Sequence, residues 1–215
     1  MSSARAERAA LKQVTWGAQA NGIELNVTAD ANLNSYDSRP HTVVLGVYQS
    51  QGTNVFLTQL ATQSSIASML EAGHGGAAIL KPGPGQGILL DSKSFIVTPG
   101  REATLTLDRV ANARFVGLLV GYYSLDPVRT ARLFAVPLVV KTSGIIFKSA
   151  TAAPGQLKVA LHLGPEGIST AARDDSKLDG KIQPLVSAPM GQVAISDARI
   201  RRALIATQSV NPPAK

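Results

Sequence analysis

The residues of this chain best suited to metal binding or proton transfer are its three histidines, His41, His74 and His162. They lie far apart, and none has a second histidine or a carboxylate at the spacing of a metal-ligand motif. We therefore expect exposed or hydrogen-bonded histidines. A metal site remains open only if the fold brings these side chains together.

The other catalytic motifs that we considered are absent or lack the neighbouring residues that their chemistry requires. The chain has no cysteine, which excludes disulfides, thiolate zinc sites and cysteine nucleophiles, and it has no Gly-x-Ser-x-Gly elbow. The glycine-rich segment Gly73–Gly87 resembles a phosphate-binding loop, but Lys81 is followed by Pro82 instead of Ser or Thr at the start of a helix. The adjacent pair Asp174 and Asp175 lies in a polar stretch that favours a solvated turn over an acid and base pair. Binding is favoured over catalysis, with no cofactor, metal or small-molecule substrate.

The chain is basic, with 21 Lys and Arg against 14 Asp and Glu. An acid-free stretch, Pro127–Pro165, carries five of the positive charges: Arg129, Arg132, Lys141, Lys148 and Lys158. Aromatic residues are only 5% of the chain and do not interleave with these cations, as a surface that stacks bases would require. This pattern predicts a solvated basic face and no nucleic-acid partner.

The composition indicates one β-rich domain of a secreted type. Charged residues are 16% of the 215 residues, below the usual share of about 25%. The longest apolar runs, Phe115–Tyr123 and Leu133–Val140, are too short to span a membrane. The polar N-terminus lacks the apolar core of a signal peptide, so we expect either a cytoplasmic protein or one whose export signal has been removed.

The first strands and helices follow from changes of hydrophobic period. Ile23 to Asp30 alternates apolar and polar residues, which predicts a strand buried on one face, and Asn32–Pro40 has the composition of an exposed turn. Thr42–Gln49 is apolar on both faces, as expected of a central strand. Helical spacing between Asn54 and Ala72 predicts one helix or two short helices with Asn54 as the N-cap, followed by a Gly/Pro-rich loop at 73–92.

The later strands are short and closely spaced. We predict a hairpin with a turn at Pro99–Gly100, and a strand in which Pro137 marks an edge or a bulge. The predicted strands are Ser94–Val97, Ala103–Asp108, Arg114–Ser124, Leu133–Val140, Ile145–Lys148 and Leu157–Leu163. Together they predict a mainly β protein, an antiparallel two-sheet β-sandwich with one inserted helical segment.

The predicted elements divide the chain into three regions. We expect an N-terminal tether at residues 1–20, a β-sandwich domain at 21–165 with the helical insertion at 54–72, and a polar C-terminal extension at 166–215. Trp16, the sole tryptophan, is expected to close one end of the core.

Taken in order, the segments resemble the TssJ family, the outer-membrane lipoproteins of the type VI secretion system. The resemblance covers Ile23 to Pro137 and depends on the order and spacing of its pieces. They are Ile23–Asn34, Arg39–Gln49, Phe56 with Leu60, Val97–Gly100 and Phe115–Tyr123.

The resemblance implies a transthyretin-like β-sandwich with no enzymatic activity. Such a protein is held in the periplasm, at the inner face of the outer membrane, by an N-terminal lipid, and helps to anchor the membrane core complex of the secretion system. The implied partner is the periplasmic C-terminal region of a TssM-like inner-membrane protein. The family's acylated cysteine is absent from this chain, so Ser2–Val14 is expected to be the leash to the bilayer.

The resemblance also implies a partner-binding loop between the first two strands. It falls on Asn34, Ser35, Tyr36, Asp37, Ser38 and Arg39. Turn chemistry alone explains Asn34, Asp37 and Ser38, so Tyr36 and Arg39 are the stronger contact candidates. Two alternatives stay open: another envelope β-sandwich that binds carbohydrate or protein, and an enzyme whose site is assembled by the fold.

Overall fold

A computed structural model describes residues 3–72, 89–144 and 149–183. The elements in chain order are α1 Ser3–Lys12, β1 Gln19–Ala29, β2 Val43–Ser50, α2 Asn54–Gln59, α3 Gln63–Ala72, β3 Leu89–Val97, β4 Glu102–Arg109, β5 Phe115–Val120, α4 Pro127–Thr130, β6 Ala131–Ala135, β7 Leu138–Ser143, β8 Ser149–Pro154, β9 Leu157–Leu163, β10 Ile168–Arg173 and β11 Lys181–Gln183.

Two four-stranded sheets pack face to face. Their strand orders are β10-β9-β1-β4 and β3-β2-β5-β6, and a smaller sheet has the order β11-β7-β8. The predicted β-sandwich is therefore confirmed. One pair departs from the antiparallel expectation, because β9 returns from the smaller sheet in the same direction as β1 and pairs with it in parallel.

The alternation of β1 places its apolar residues in the core between the two sheets, as predicted. Ile23, Leu25 and Val27 are buried, and they contact the inward residues of β2 and β5 from the other sheet. The outward residue Glu24 instead forms an ion pair with Lys158 of β9, with 3.0 Å between the carboxylate and the ammonium. The sequence period thus fixes which face of the first sheet meets solvent.

Strand β2 is buried on both faces because α2 and α3 cover the outer side of its sheet. Its outward Tyr48 packs with Phe56 of α2, and the Tyr48 hydroxyl donates to the carbonyl of Met69 at 2.7 Å. This confirms the predicted central strand and the two short helices. The N-cap prediction is wrong, since Thr53 precedes α2 and the Asn54 side-chain oxygen is buried without a hydrogen bond.

The predicted hairpin at Pro99–Gly100 is wrong. Strand β3 pairs with β2, whereas β4 pairs with β1 in the facing sheet, so the turn carries the chain across the sandwich. Gly100 has a positive φ of 67° and donates its N–H to the carbonyl of Asp30 at 3.0 Å. The alternation of apolar and polar residues in these two strands is compatible with a hairpin and with strands in facing sheets. In the structure, Val97 and Leu107 reach the same core from the two facing sheets.

The predicted strand Leu133–Val140 is two strands in different sheets. Pro137 lies between β6 and β7, and its carbonyl accepts a hydrogen bond from Gly155 at 2.8 Å. The chain leaves the sandwich here because proline cannot donate to the ladder of the sheet. Strand β3 begins at Leu89, inside the loop predicted at 73–92, whereas Gly73–Gly87 and the predicted strand Ile145–Lys148 lie outside the described residues.

Both predicted flanking regions contribute ordered elements. Strand β10 pairs with β9, so the first sheet continues past the boundary predicted at residue 165. Helix α1 packs on β8 and β7 with Ala6 and Ala10 buried, and therefore differs from a free leash. Trp16 packs against the inter-sheet core, as predicted for an end plug, with the Arg109 and Arg114 guanidinium carbons 5.7 and 5.4 Å from the centre of its ring.

Gly117 of β5 provides a test of the packing between sheet and helices. A Cβ atom built on Gly117 would lie 2.5 Å from the Phe56 ring, so Gly117→Ala forces the ring or the strand to move. We expect the free energy of unfolding in urea to fall by ~1–3 kcal/mol. Gly52→Ala is the matched control, because a Cβ there meets no atom within 4 Å. Equal stability of the two variants would contradict this packing.

The Glu24–Lys158 ion pair on the outer face makes the stability of the fold depend on pH in the acidic range. The hydrogen bond from Lys158 lowers the pKa of Glu24 from its ordinary value of 4.5. Stabilisation is therefore complete above the unfolded-state pKa and is lost as the pH falls through the lower folded-state pKa. We expect thermal unfolding of Glu24→Gln to be less sensitive to pH below about 5 than that of the wild type. Glu102→Gln, at an exposed β4 glutamate, should retain the wild-type slope.

Candidate partner-binding site

Four connections meet at one end of the sandwich, which we call the loop end. They are residues 30–42 after β1, 98–101 after β3, 121–130 after β5 and 164–167 after β9. They meet because β1 and β9 run in parallel and end together, while β2 begins at the same end of the facing sheet. The predicted contact residues therefore lie on a rigid mount, flanked by three other loops.

The tip of the first loop is a two-residue hairpin turn. Tyr36 and Arg39 exchange both backbone hydrogen bonds at 3.0 Å, and the central residues Asp37 and Ser38 have positive φ values of 51° and 58°. Positive φ at both central positions is the signature of a type I′ turn, for which aspartate is well suited. The turn holds the exposed side chains of Tyr36 and Arg39 beside each other at its base.

The stem of this loop is tied to the sandwich. Leu33 is fully buried in the inter-sheet core, and Ser35 donates its N–H to the carbonyl of Pro165 at 2.9 Å. Asn34 has a φ of 47° and is 8% exposed, and its side-chain oxygen accepts the N–H of Tyr123 at 2.9 Å. Of the six predicted contact residues, Asn34 is thus placed to hold the loop, and the other five are exposed.

An aromatic pair joins two of the loops. The rings of Tyr36 and Tyr123 stack with centroids 3.9 Å apart, although their side chains are 48% and 69% exposed. The neighbouring Tyr36 side chain raises the pKa of Tyr123. Tyr123 was not among the contact residues predicted from the sequence. The sequence feature that could have revealed it is the Tyr122–Tyr123 dipeptide after β5. Tyr122 is buried and its hydroxyl donates to the carbonyl of Gly167, whereas Tyr123 is exposed.

The charges at the loop end are mostly paired. Arg129 contacts Glu166 at 2.7 Å, and His162 contacts Asp30 at 2.7 Å. Within the described ranges, Arg39 forms no ion pair, and it is an exposed residue whose backbone pairs with that of Tyr36. An exposed arginine beside an aromatic ring is suited to a carboxylate or to a backbone carbonyl of another protein.

The residues considered for catalysis have separate partners. His41 lies 3.3 Å from the carbonyl of Asn34, His162 lies against Asp30, and His74 lies outside the described part of the chain. Asp175 accepts from the guanidinium of Arg173, whereas Asp174 accepts from the backbone of Ser176. In residues 3–72, 89–144 and 149–183 no group of three or more histidines and carboxylates could hold a metal ion.

The solvated basic face predicted for the stretch Pro127–Pro165 is interspersed with carboxylates from other segments. Arg129 pairs with Glu166, Lys141 with Asp179 at 3.0 Å, and Lys158 with Glu24. These carboxylates come from outside the acid-free stretch, so the charge pattern of the sequence alone could not reveal the pairing. Lys148 lies outside the described residues.

The sequence pattern of the T6SS-SciN family, described as type VI secretion lipoprotein, VasD, EvfM and TssJ, matches residues 21–164. The chain belongs to this family. The match runs from β1 to the end of β9 and includes the whole of the first loop. Its members are structural, non-catalytic components of the type VI secretion system, with a periplasmic, membrane-anchored location that fits the lipoprotein class.

Solved structures similar to this chain come from the same secretion system. Pseudomonas aeruginosa TssJ1 is 17% identical with a TM-score of 0.46, and covers 71% of this chain and 95% of its own. Serratia marcescens Lip, described as a membrane-bound component, is 20% identical with a TM-score of 0.47, covering 68% and 93%. A chain described as the T6SS protein TssM C-terminal domain from EAEC is 12% identical with a TM-score of 0.43, covering 76% and 98%.

No curated protein matches this sequence closely enough to be counted a relative. In the described ranges, no helix is long and apolar enough to cross a membrane. The family assignment comes from the sequence pattern of residues 21–164.

Asn34 allows a test of what holds the loop. Asn34→Gly removes the hydrogen bond to Tyr123 but keeps the positive φ accessible, whereas Asn34→Ala loses both. We expect faster hydrogen exchange at the Tyr123 amide in both variants, and an additional loss of stability of ~1 kcal/mol in the alanine variant. Asn32→Ala, at an exposed asparagine nearby, is the control. Exchange at the Tyr123 amide that stays at the wild-type rate in both Asn34 variants would contradict the anchoring.

Proposed function

We propose that this chain is a periplasmic adaptor that binds the C-terminal region of TssM through its loop end, at the inner face of the outer membrane. The observation that carries the proposal is the stacked pair of Tyr36 and Tyr123, held exposed beside Arg39. Membership in the type VI secretion lipoprotein family supports the choice of partner. The predicted contact residues Ser35, Tyr36, Asp37, Ser38 and Arg39 all face solvent on this surface.

The residue types suit a protein partner. Tyrosine and arginine dominate the few interface positions that contribute most of a binding energy, because each combines a large apolar area with directed hydrogen bonds. The two tyrosines also cover each other's faces at 3.9 Å, which leaves less open ring surface than a sugar platform requires. The geometry therefore favours a protein ligand over the alternative of a carbohydrate.

The backbone of the loop is prepared for binding before the partner arrives. Three of the five non-glycine residues with positive φ in the described chain, Asn34, Asp37 and Ser38, lie in this single loop. Such conformations cost energy and persist where surrounding contacts hold them, here the buried Leu33 and the backbone bond from Ser35. A loop that is already ordered loses little conformational entropy on association.

The test is a calorimetric titration of this chain with the periplasmic C-terminal region of its cognate TssM. We expect Tyr36→Ala and Arg39→Ala each to weaken the affinity by ~30-fold, about 2 kcal/mol. Because the two tyrosines contact each other, Tyr36→Ala and Tyr123→Ala should be non-additive in the double variant. Stability of each variant is measured by urea unfolding alongside the titration.

Lys177→Ala is the matched control, since Lys177 is an exposed cation in the segment after β10 and outside the loop end. Its affinity should remain within about twofold of the wild type. No detectable association of the wild-type chain with TssM would reject the partner. Association that tolerates both Tyr36→Ala and Arg39→Ala would reject the loop end as the site.

A further inference from the structure

Helix α1 presents two opposite faces. Ala6 and Ala10 are 8% exposed and pack against the small sheet, mainly on β8. Arg5, Arg8 and Lys12 are exposed, and at 3.6 residues per turn they fall within an arc of about 60° on the side away from those alanines. The packing of the alanines therefore orients a row of three positive charges toward solvent.

This row is not neutralised within the described part of the chain. Glu7, the acidic residue of α1, is only 16% exposed in its side chain and contacts Lys181 of β11 at 3.1 Å. No ion pair in the described ranges includes Arg5, Arg8 or Lys12, whereas cations elsewhere, such as Lys158 and Arg173, have carboxylate partners. Among the residues that the structure describes, none neutralises this face, which leaves its charge available for an external anion.

The cationic face lies on the part of the molecule away from the loop end. The small sheet joins the sandwich where β6 ends and β9 begins, through the hydrogen bond from Gly155 to Pro137. The segment after α1 returns to that same end, where the carbonyl of Trp16 accepts the N–H of Asn112 at 2.7 Å. A surface bound to α1 would therefore leave the loop end free.

We propose that the cationic face of α1 binds the phosphate headgroups of an anionic phospholipid bilayer. The three charges lie along one line of about 10 Å, so they can meet neighbouring headgroups on a flat surface at the same time. Each lysine or arginine near an anionic membrane strengthens binding by about fivefold, so the row supplies about 100-fold. In the lipoprotein class to which the chain belongs, such an attraction adds to the binding of an acyl chain, since one acyl signal alone gives only marginal binding.

A membrane suits this face better than a nucleic acid does. The row is a single helix face of three cations, and no aromatic residue lies in α1 to stack on a base. The proposal concerns a surface separate from the TssM-binding site and does not depend on it. Failure of one therefore leaves the other unaffected.

The test is sedimentation of the full chain with vesicles of equal parts phosphatidylcholine and phosphatidylglycerol at low ionic strength. Vesicles of phosphatidylcholine alone serve as the neutral reference. The variant R5Q/R8Q/K12Q should lose about 100-fold in partitioning onto the anionic vesicles, and wild-type binding should weaken as salt is added. Glutamine keeps a high helix propensity, and circular dichroism with thermal unfolding checks that α1 and the fold remain.

The matched control K93Q/R101Q/K177Q removes the same charge from exposed cations outside α1, and should keep the wild-type partitioning. An equal loss in both triple variants would overturn the proposal, because binding would then reflect net charge alone. Wild-type binding no stronger to anionic than to neutral vesicles would overturn it as well. Tight binding of the full chain to a DNA duplex, without a preference for anionic over neutral vesicles, would also overturn the proposal.

Discussion

The structure depends on the burial of aliphatic rows between two facing sheets. Ile23, Leu25 and Val27 from one sheet meet Leu45 and Val47 from the other, and all are 2% exposed or less. Burial of this apolar surface is the dominant favourable term in folding, and it fixes the distance and register of the two layers. Every connection at the loop end must therefore begin and end at positions that the core has already set.

The packing of the core also restricts the conformation of the exposed loop between β1 and β2. It crosses from one sheet to the other, and Leu33 in its middle is part of the inter-sheet core. A buried side chain within a connection leaves few conformations for the neighbouring residues. In this connection, whose two ends are anchored in facing sheets, Asn34 has a positive φ and the chain makes a tight turn at Asp37 and Ser38.

The two ends of the sandwich carry different features. One end carries loops with exposed aromatic and charged side chains, and the other carries the small sheet with α1 and the Trp16 plug. The two proposed surfaces, the loop end for a protein and the cationic face of α1 for a bilayer, lie at opposite ends of one sandwich, so binding at one leaves the other uncovered.

The sequence by itself determined the elements whose burial pattern is local. The alternation of β1, the apolar character of both faces of β2 and the helical spacing after Asn54 each appear within about ten residues, because a side chain's direction follows the backbone period. The ordered segments also predicted the family, which the match over residues 21–164 confirms, and they predicted the loop that is proposed as the partner-binding site. For the site, Tyr36 and Arg39 could be named because their residue types are typical of interfaces.

Tertiary structure alone decided which strands pair and which loops meet. The separation of β3 and β4 into facing sheets, the parallel pair of β1 and β9, and the strand β10 beyond residue 165 all depend on contacts between distant residues. The same holds for Tyr123, which stacks on Tyr36, 87 positions earlier in the chain. It also holds for α1, which packs on β8. A local pattern records which face of a segment is buried, but not which segment buries it, because that choice is made by the packing of the whole core.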